Sequence, residues 1–157
     1  MTRTRGRAPK GQRVHGAVPQ GDWKTTTMLG ALRCDGMAAA ATAPFSTDTD
    51  LFRRFVSQGL VPALHRGDVV VWDNLAPHKA AGLAELVHQA GAELLPLPPY
   101  SPDLSPIEAC WSKIKEIVRS AEPRDEASIG KVAAKAFAAV TSSDARGWFK
   151  HCGYMVH

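Results

Sequence analysis

The spacing of apolar residues changes period several times along the chain, and each change marks an element. Trp23 to Arg33 is rich in threonine and apolar residues and predicts a strand. Cys34-Asp35-Gly36 follows as a tight-turn signal, because Asp-Gly tolerates positive φ, and Met37 to Ala43 is then the returning strand of a hairpin. From Asp48 to Leu64 the residues Leu51, Phe52, Phe55, Val56 and Leu60 recur at helical spacing, with Thr47 or Asp48 placed to cap the start. Val69 to Trp72 is a short unbroken apolar run, the pattern of a strand buried on both faces. Pro77 or His78 to Ala90 predicts a second helix closed by Gly91, and Ala92 to Leu97 another buried strand. Pro98 to Pro106 is a proline-rich turn. Ile107 to Arg119 then places Ile107, Trp111, Ile114 and Val118 on one helical face, and Asp125 to Val140 is a further amphipathic helix.

The order is hairpin, helix, strand, helix, strand, helix, helix. Strands separated by helices imply parallel pairing with right-handed crossovers, and the hairpin adds an antiparallel part. The expected class is mixed α/β. A length of 157 residues suits one domain, and 45% hydrophobic residues suffice for a core.

Charge adds a possible partner. The formal net charge is +4, and the first fifteen residues carry Arg3, Arg5, Arg7, Lys10 and Arg13 with no acidic residue. Residues 1–22, rich in Gly, Pro and Arg, predict an extended basic arm that can neutralise phosphates, or equally a solvated terminus. The three cysteines, Cys34, Cys110 and Cys152, are far apart and form no CxxC pair, which argues against a disulfide framework or zinc ribbon and fits a reducing cytoplasm. No apolar stretch is long enough for a membrane span, and the N-terminus lacks the apolar run of a signal peptide.

Two carboxylates are candidates for chemistry. Asp73 directly follows the strand Val69 to Trp72, and the carboxyl ends of strands in α/β sheets border the ligand crevice. The alternative is that Asp73-Asn74 only begins a turn. Glu108 lies in the first turn of the helix after the next strand. There Ser105-Pro106-Ile107-Glu108 also reads as a capping box, with Glu108 reaching back to the Ser105 amide. Adjacent parallel strands would bring both acids to one sheet edge. Hard oxygen ligands on a shared rim suit Mg²⁺ or Mn²⁺, and a two-metal site that activates the attacking oxygen usually needs at least three carboxylates.

Three stretches carry a family resemblance: Val69-Val-Val-Trp-Asp-Asn-Leu-Ala-Pro-His-Lys79, Leu95-Pro-Leu-Pro-Pro-Tyr-Ser-Pro-Asp-Leu-Ser-Pro-Ile-Glu108 and Trp111-Ser-Lys-Ile-Lys115. Together they resemble the DDE transposases of the mariner superfamily, most closely the bacterial insertion-sequence branch. Arg7 to Arg13 and Trp23 to Thr27 look like the same family. The resemblance implies a ribonuclease H-like mixed sheet flanked by helices. It also implies Mg²⁺-dependent cutting of transposon ends and their joining to target DNA. Asp73 matches the family's second catalytic acid and Glu108 its third; both would bind metal. Asn74 and His78 match motif positions with supporting roles, His78 by orienting a carboxylate or touching DNA, or else as a surface histidine.

The resemblance also implies what to look for elsewhere. The family's first acid sits on a first, central strand, which this sequence is expected to lack, leaving residues 23–157 as a partial catalytic domain. Asp22 and Asp35 are the only acids upstream, and neither fits the role. A partner chain would then supply the strand and its Asp, or the chain is a degenerate fragment. The family's helix-turn-helix region is likewise expected to be missing, which leaves DNA contact to the arm, Lys113, Lys115 and Arg119. The competing expectation is a noncatalytic protein of the same lineage that binds DNA or a full-length transposase.

Overall fold

The computed structural model describes residues 6–15, 25–73 and 75–156. Arg3, Arg5, Asp22, Trp23, Asn74 and His157 lie outside them. Strand β1 (Thr27–Arg33) pairs antiparallel with β2 (Gly36–Ala43), and Gly36 takes a φ of 137° at the turn. β3 (Val69–Trp72) pairs in parallel with β4 (Glu93–Pro96). The helices are α1 (Thr49–Phe55), α2 (Leu83–Gln89), α3 (Pro106–Ala121), α4 (Glu126–Ala138) and α5 (Ser142–His151).

The hairpin is covered on both sides. Met28 and Leu32 of β1 face the cluster formed by Cys110, Ile114 and Val118 of α3 with Ala133, Ala136 and Phe137 of α4. Leu29 and Ala31 face the opposite way, toward Phe52, Phe55, Val56 and Leu60. The pairing shifts register between Ala31 and Leu32, whose partners are Ala39 and Met37, so Ala38 is an extra residue. That bulge turns Met37 toward α3 while Ala39 and Ala41 keep facing α1, since one inserted residue reverses the alternation. Gly30 has no side chain for a packing reason: a Cβ there would lie 2.8 Å from the Met37 methyl and 3.1 Å from the Trp111 indole.

Three expectations change. The helix over Asp48–Leu64 is broken into α1, a π-helical turn (Val56–Leu60) and a 3₁₀ turn (Val61–Ala63). Asp48 caps it, its Oδ1 accepting from the Leu51 amide at 2.7 Å. Pro62 explains the break: it has no N–H to donate and its ring would strike the carbonyl four residues back in a regular α-helix. The helix from Pro77 starts later, at Leu83. Pro77 instead opens a 3₁₀ turn (Ala76–Lys79), and Gly82, at a φ of 83°, prevents the two from joining. Gly91 does close α2: its amide bonds the His88 carbonyl and Ala92 bonds Val87, which satisfies the last carbonyls.

The third correction concerns burial of the parallel strands. Val70 and Trp72 pack on the Phe52 cluster, but Val69 is 53% exposed and its same-face neighbour Leu95 is 54% exposed. β3 and β4 are therefore covered on one face. The two sheets are also separate. Among the described residues β1 and β3 each pair on one side only, yet both contribute to the Phe52 cluster. Arg33, ending β1, grips Asp68, just before β3, through two parallel bonds of 2.9 and 2.7 Å, and also donates to the Ala63 carbonyl.

Candidate active site

Asp73 leaves the carboxyl end of β3, and the parallel ladder continues past it: the Leu97 amide donates to the Trp72 carbonyl at 2.8 Å. The chain after β4 thus departs from the same edge as Asp73. It crosses a 3₁₀ turn (Pro102–Leu104) and enters α3, whose first turn carries Glu108.

His78 fixes Asp73. The 3₁₀ turn after β3 folds back so that His78 Nδ1 lies 2.5 Å from Asp73 Oδ1 and 3.2 Å from the Asp73 carbonyl. A backbone carbonyl only accepts, so Nδ1 is the donor in its contact with the Asp73 carbonyl. The imidazole is wedged in place by Phe52 of α1, ring centroids 4.2 Å apart, and by Trp72 at 5.7 Å. Asp73 Oδ1 also accepts from the Leu75 amide at 3.1 Å. The turn-forming role is therefore realised together with the histidine contact. The Asp73 side chain remains 49% exposed, so it is oriented from within and open to solvent.

The capping box at Glu108 does not form. Ser105 makes no side-chain cap, and its amide donates to the Pro102 carbonyl at 3.1 Å, which leaves nothing for Glu108 to accept there. Glu108 is exposed, and among the described residues no side-chain hydrogen bond or ion pair engages its carboxylate.

Asp35 is at the wrong end. It sits in the hairpin turn beside Phe137 and Val140, next to the Arg33 that binds Asp68. β3 separates Asp68 from Asp73 by five residue steps, about 16 Å at ordinary strand rise. Among the described residues no three His, Cys, Asp or Glu side chains gather as a metal-holding group. The oxygen donors of Asp73 and Glu108 match the chemistry of Mg²⁺ or Mn²⁺, but their number falls short of a complete set.

The other candidates divide. Arg7, Lys10 and Arg13 are exposed, and among the described residues of this arm Gln12 closes a turn on Pro9. Lys115 is exposed on α3. Lys113 is not a free cation: its ammonium holds Asp144 of α5 at 2.5 Å. With Thr141 adding two further bonds, the Asp144 carboxyl is pulled down to about 2. Cys110 is buried among apolar groups, which pushes its thiol up to about 11 and makes it an inert core residue.

Sequence reasoning missed α5 and what it does. Thr141 and Asp144 form a reciprocal capping box, a signal readable as Thr-x-x-Asp. Beyond α5, the Tyr154 hydroxyl donates to the Leu104 carbonyl at 2.8 Å, and its ring meets Phe149 edge-on at 5.6 Å. The approach to Glu108 is thereby held from fifty residues downstream, a contact that local sequence cannot announce. Lys79, exposed in the 3₁₀ turn after Asp73, is a further cation near this edge. No helix among the described residues is long and apolar enough to cross a membrane.

Comparison with solved structures gives a consistent fold. The chain is similar to a Mos1 transposase paired-end complex with left transposon end, at 18% identity and a TM-score of 0.74, over 96% of this chain and 47% of that one. It is similar to the Mos1 strand transfer complex at 18% identity and 0.73, over 96% and 46%. The Mos1 mariner paired end complex with Mn gives 19% and 0.74, over 95% and 47%. The fold is thus the mixed α/β, ribonuclease H-like one, and the chain spans about half the length of these transposases. A comparison with curated protein sequences found no match. The family model for DDE superfamily endonucleases covers residues 1–129. With Asp73 and Glu108 both inside that span, the chain belongs to the DDE superfamily endonuclease family.

Proposed function

We propose that this chain is the catalytic-domain segment of a mariner-superfamily transposase of the bacterial insertion-sequence branch, acting in metal-dependent DNA cleavage and strand transfer. The observation that supports this most is the state of the two acids. Asp73 is oriented by a wedged histidine yet half exposed, and Glu108 is relieved of capping. In this reading Asp73 and Glu108 hold Mg²⁺ or Mn²⁺, His78 positions Asp73, and Asn74 supports the same turn. A divalent cation there would polarise the phosphoryl oxygens and generate the attacking hydroxyl. The DNA is the transposon end and its target. Arg3, Arg5, Arg7, Lys10 and Arg13 of the basic arm, residues 1–22, contact phosphates together with Lys115, while residues 23–157 form the partial catalytic domain.

The chain alone is weak or inactive, because the described residues supply too few acids. We assign the missing first acid to a strand from a partner chain, seated between β1 and β3. Both edges there are unpaired among the described residues, and an added strand would satisfy each. The small acid set equally favours a second reading: a noncatalytic relative that binds DNA or a full-length transposase.

Nicking of supercoiled plasmid in Mg²⁺ or Mn²⁺ tests these readings. The chain alone is expected to leave the plasmid nearly intact, and addition of a strand-forming peptide ending in Asp to raise nicking. That gain should vanish in Asp73→Ala and Glu108→Ala. No gain in any arm, with DNA binding retained, favours the noncatalytic reading. Nicking that survives both substitutions would overturn the catalytic assignment.

A further inference from the structure

Among the described residues two that are not glycine adopt a positive φ, Tyr100 at 57° and Glu122 at 47°. Glu122 has an ordinary reason: it is the left-handed cap that ends α3, its amide bonding the Arg119 carbonyl. Tyr100 ends no helix. A bulky aromatic residue in this region is a steric outlier, and such strain persists where the surrounding chain imposes it. Here Pro98 and Pro99 precede it and Pro102 follows, while the Ser101 hydroxyl bonds the Pro99 carbonyl at 3.3 Å. The strain has no packing return, since Tyr100 is 102% exposed and its ring meets no other aromatic ring among the described residues.

The position matters. Tyr100 comes three residues after Leu97, which bonds the residue preceding Asp73, and lies on the connection leading to Glu108. Lys79 and the open carboxylate of Asp73 belong to the same edge of the parallel pair. An exposed aromatic ring on the connection leading to Glu108, with a cation in the turn after Asp73, supplies the two groups that recognise unpaired nucleotides, one for the base and one for the phosphate. We propose that Tyr100 is a stacking platform for an unpaired base of the DNA presented to Asp73 and Glu108. The assignment rests on the DNA-processing reading above, and extends it to the form of DNA preferred: duplex with a single-stranded or extruded nucleotide, over intact duplex.

Fluorescence anisotropy with a labelled blunt duplex, and with the same duplex carrying a short adenine tail, tests this. Wild type is expected to prefer the tailed DNA. Tyr100→Ala should weaken tailed binding by about tenfold and leave blunt binding and the salt dependence unchanged. Tyr100→Trp should keep the preference. Lys79→Ala should weaken both DNAs and reduce the salt slope. The most telling variant is Tyr100→Gly, which relieves the positive φ: its melting temperature should rise while the tail preference is lost. Equal binding of both DNAs by wild type, or a preference that survives Tyr100→Ala and Tyr100→Gly, would overturn the stacking role while leaving DNA binding intact. Failure of wild type to bind either DNA would instead remove the underlying functional reading.

Discussion

The two strand pairs are built to different ends. The hairpin β1–β2 is clamped between α1 on one face and α3 with α4 on the other, and its alternation, bulge and Gly30 all serve that double contact. The pair β3–β4 packs on one face and leaves Val69 and Leu95 half bare on the other. The hairpin is a finished scaffold. Among the described residues both pairs leave an edge unpaired, but the parallel pair carries the candidate chemistry and also has a bare face. Binding edges are drawn from regions whose packing is incomplete, because a fully covered strand has nothing left to offer a ligand.

The largest expected effect follows from that contrast. Ile114 is fully buried between the hairpin and α4, so Ile114→Ala should destabilise by about 3–4 kcal/mol through lost transfer energy and the cavity left behind. Leu95→Ala, on the bare face, should change stability by only about 0.5 kcal/mol. Urea unfolding at matched slope measures both. Equal costs would mean that the bare face of β4 is covered in solution, and the contrast between the pairs would fall.

Much of this division was legible in the sequence, though not all. Hairpin, turn and order of elements follow from period and from Asp35-Gly36, and Asp73 and Glu108 stand out through their motifs. Burial of β3 did not follow. An unbroken run such as Val69 to Trp72 reports compatibility with two covered faces, but whether a second layer arrives depends on distant elements. The breaks at Pro62 and Gly82 were readable in principle, and helical periodicity masked them. The capping pattern at Ser105 was present and unused, because Pro102 reached the Ser105 amide first. Local sequence offers such alternatives, and tertiary contacts select among them.

A middle-sized effect concerns the link between the pairs. Arg33 and Asp68 are about three-quarters buried and doubly bonded, so Arg33→Ala should cost about 1–2 kcal/mol, less than for a fully buried pair because solvent reaches the ions. The pH dependence has a definite sign. Arg33 holds the Asp68 carboxyl below its ordinary value, and Lys113 with Thr141 holds Asp144 at about 2. Lowered carboxylate pKa values give stability that is complete above the unfolded value of about 4, and lost as pH falls through the folded values. Wild type should therefore lose stability progressively from about pH 4 toward about pH 2. Arg33→Ala and Asp144→Asn should each flatten part of that decline in urea titrations. An unchanged slope in Arg33→Ala would show that the two sheets are held together by the shared core alone.

The smallest effect tests whether the turn leading to Glu108 is braced from the far end of the chain. Tyr154→Phe removes only the hydroxyl that bonds Leu104, and keeps the ring against Phe149. Loss of one exposed hydrogen bond should cost about 0.5 kcal/mol in global unfolding. Its local consequence should be larger in proportion. The Pro102–Leu104 turn lies between Tyr100 and Glu108, so loosening it should raise amide exchange at Leu104 and Ser105 while the hairpin amides stay unchanged. Equal acceleration in the hairpin would mean that Tyr154 supports the whole fold, and the division between scaffold and edge would not hold at this point. Acceleration confined to the turn would make the tail after α5 the brace for Glu108. The finished half of the molecule would then be holding the open half in position through a contact that contributes little to stability and much to geometry.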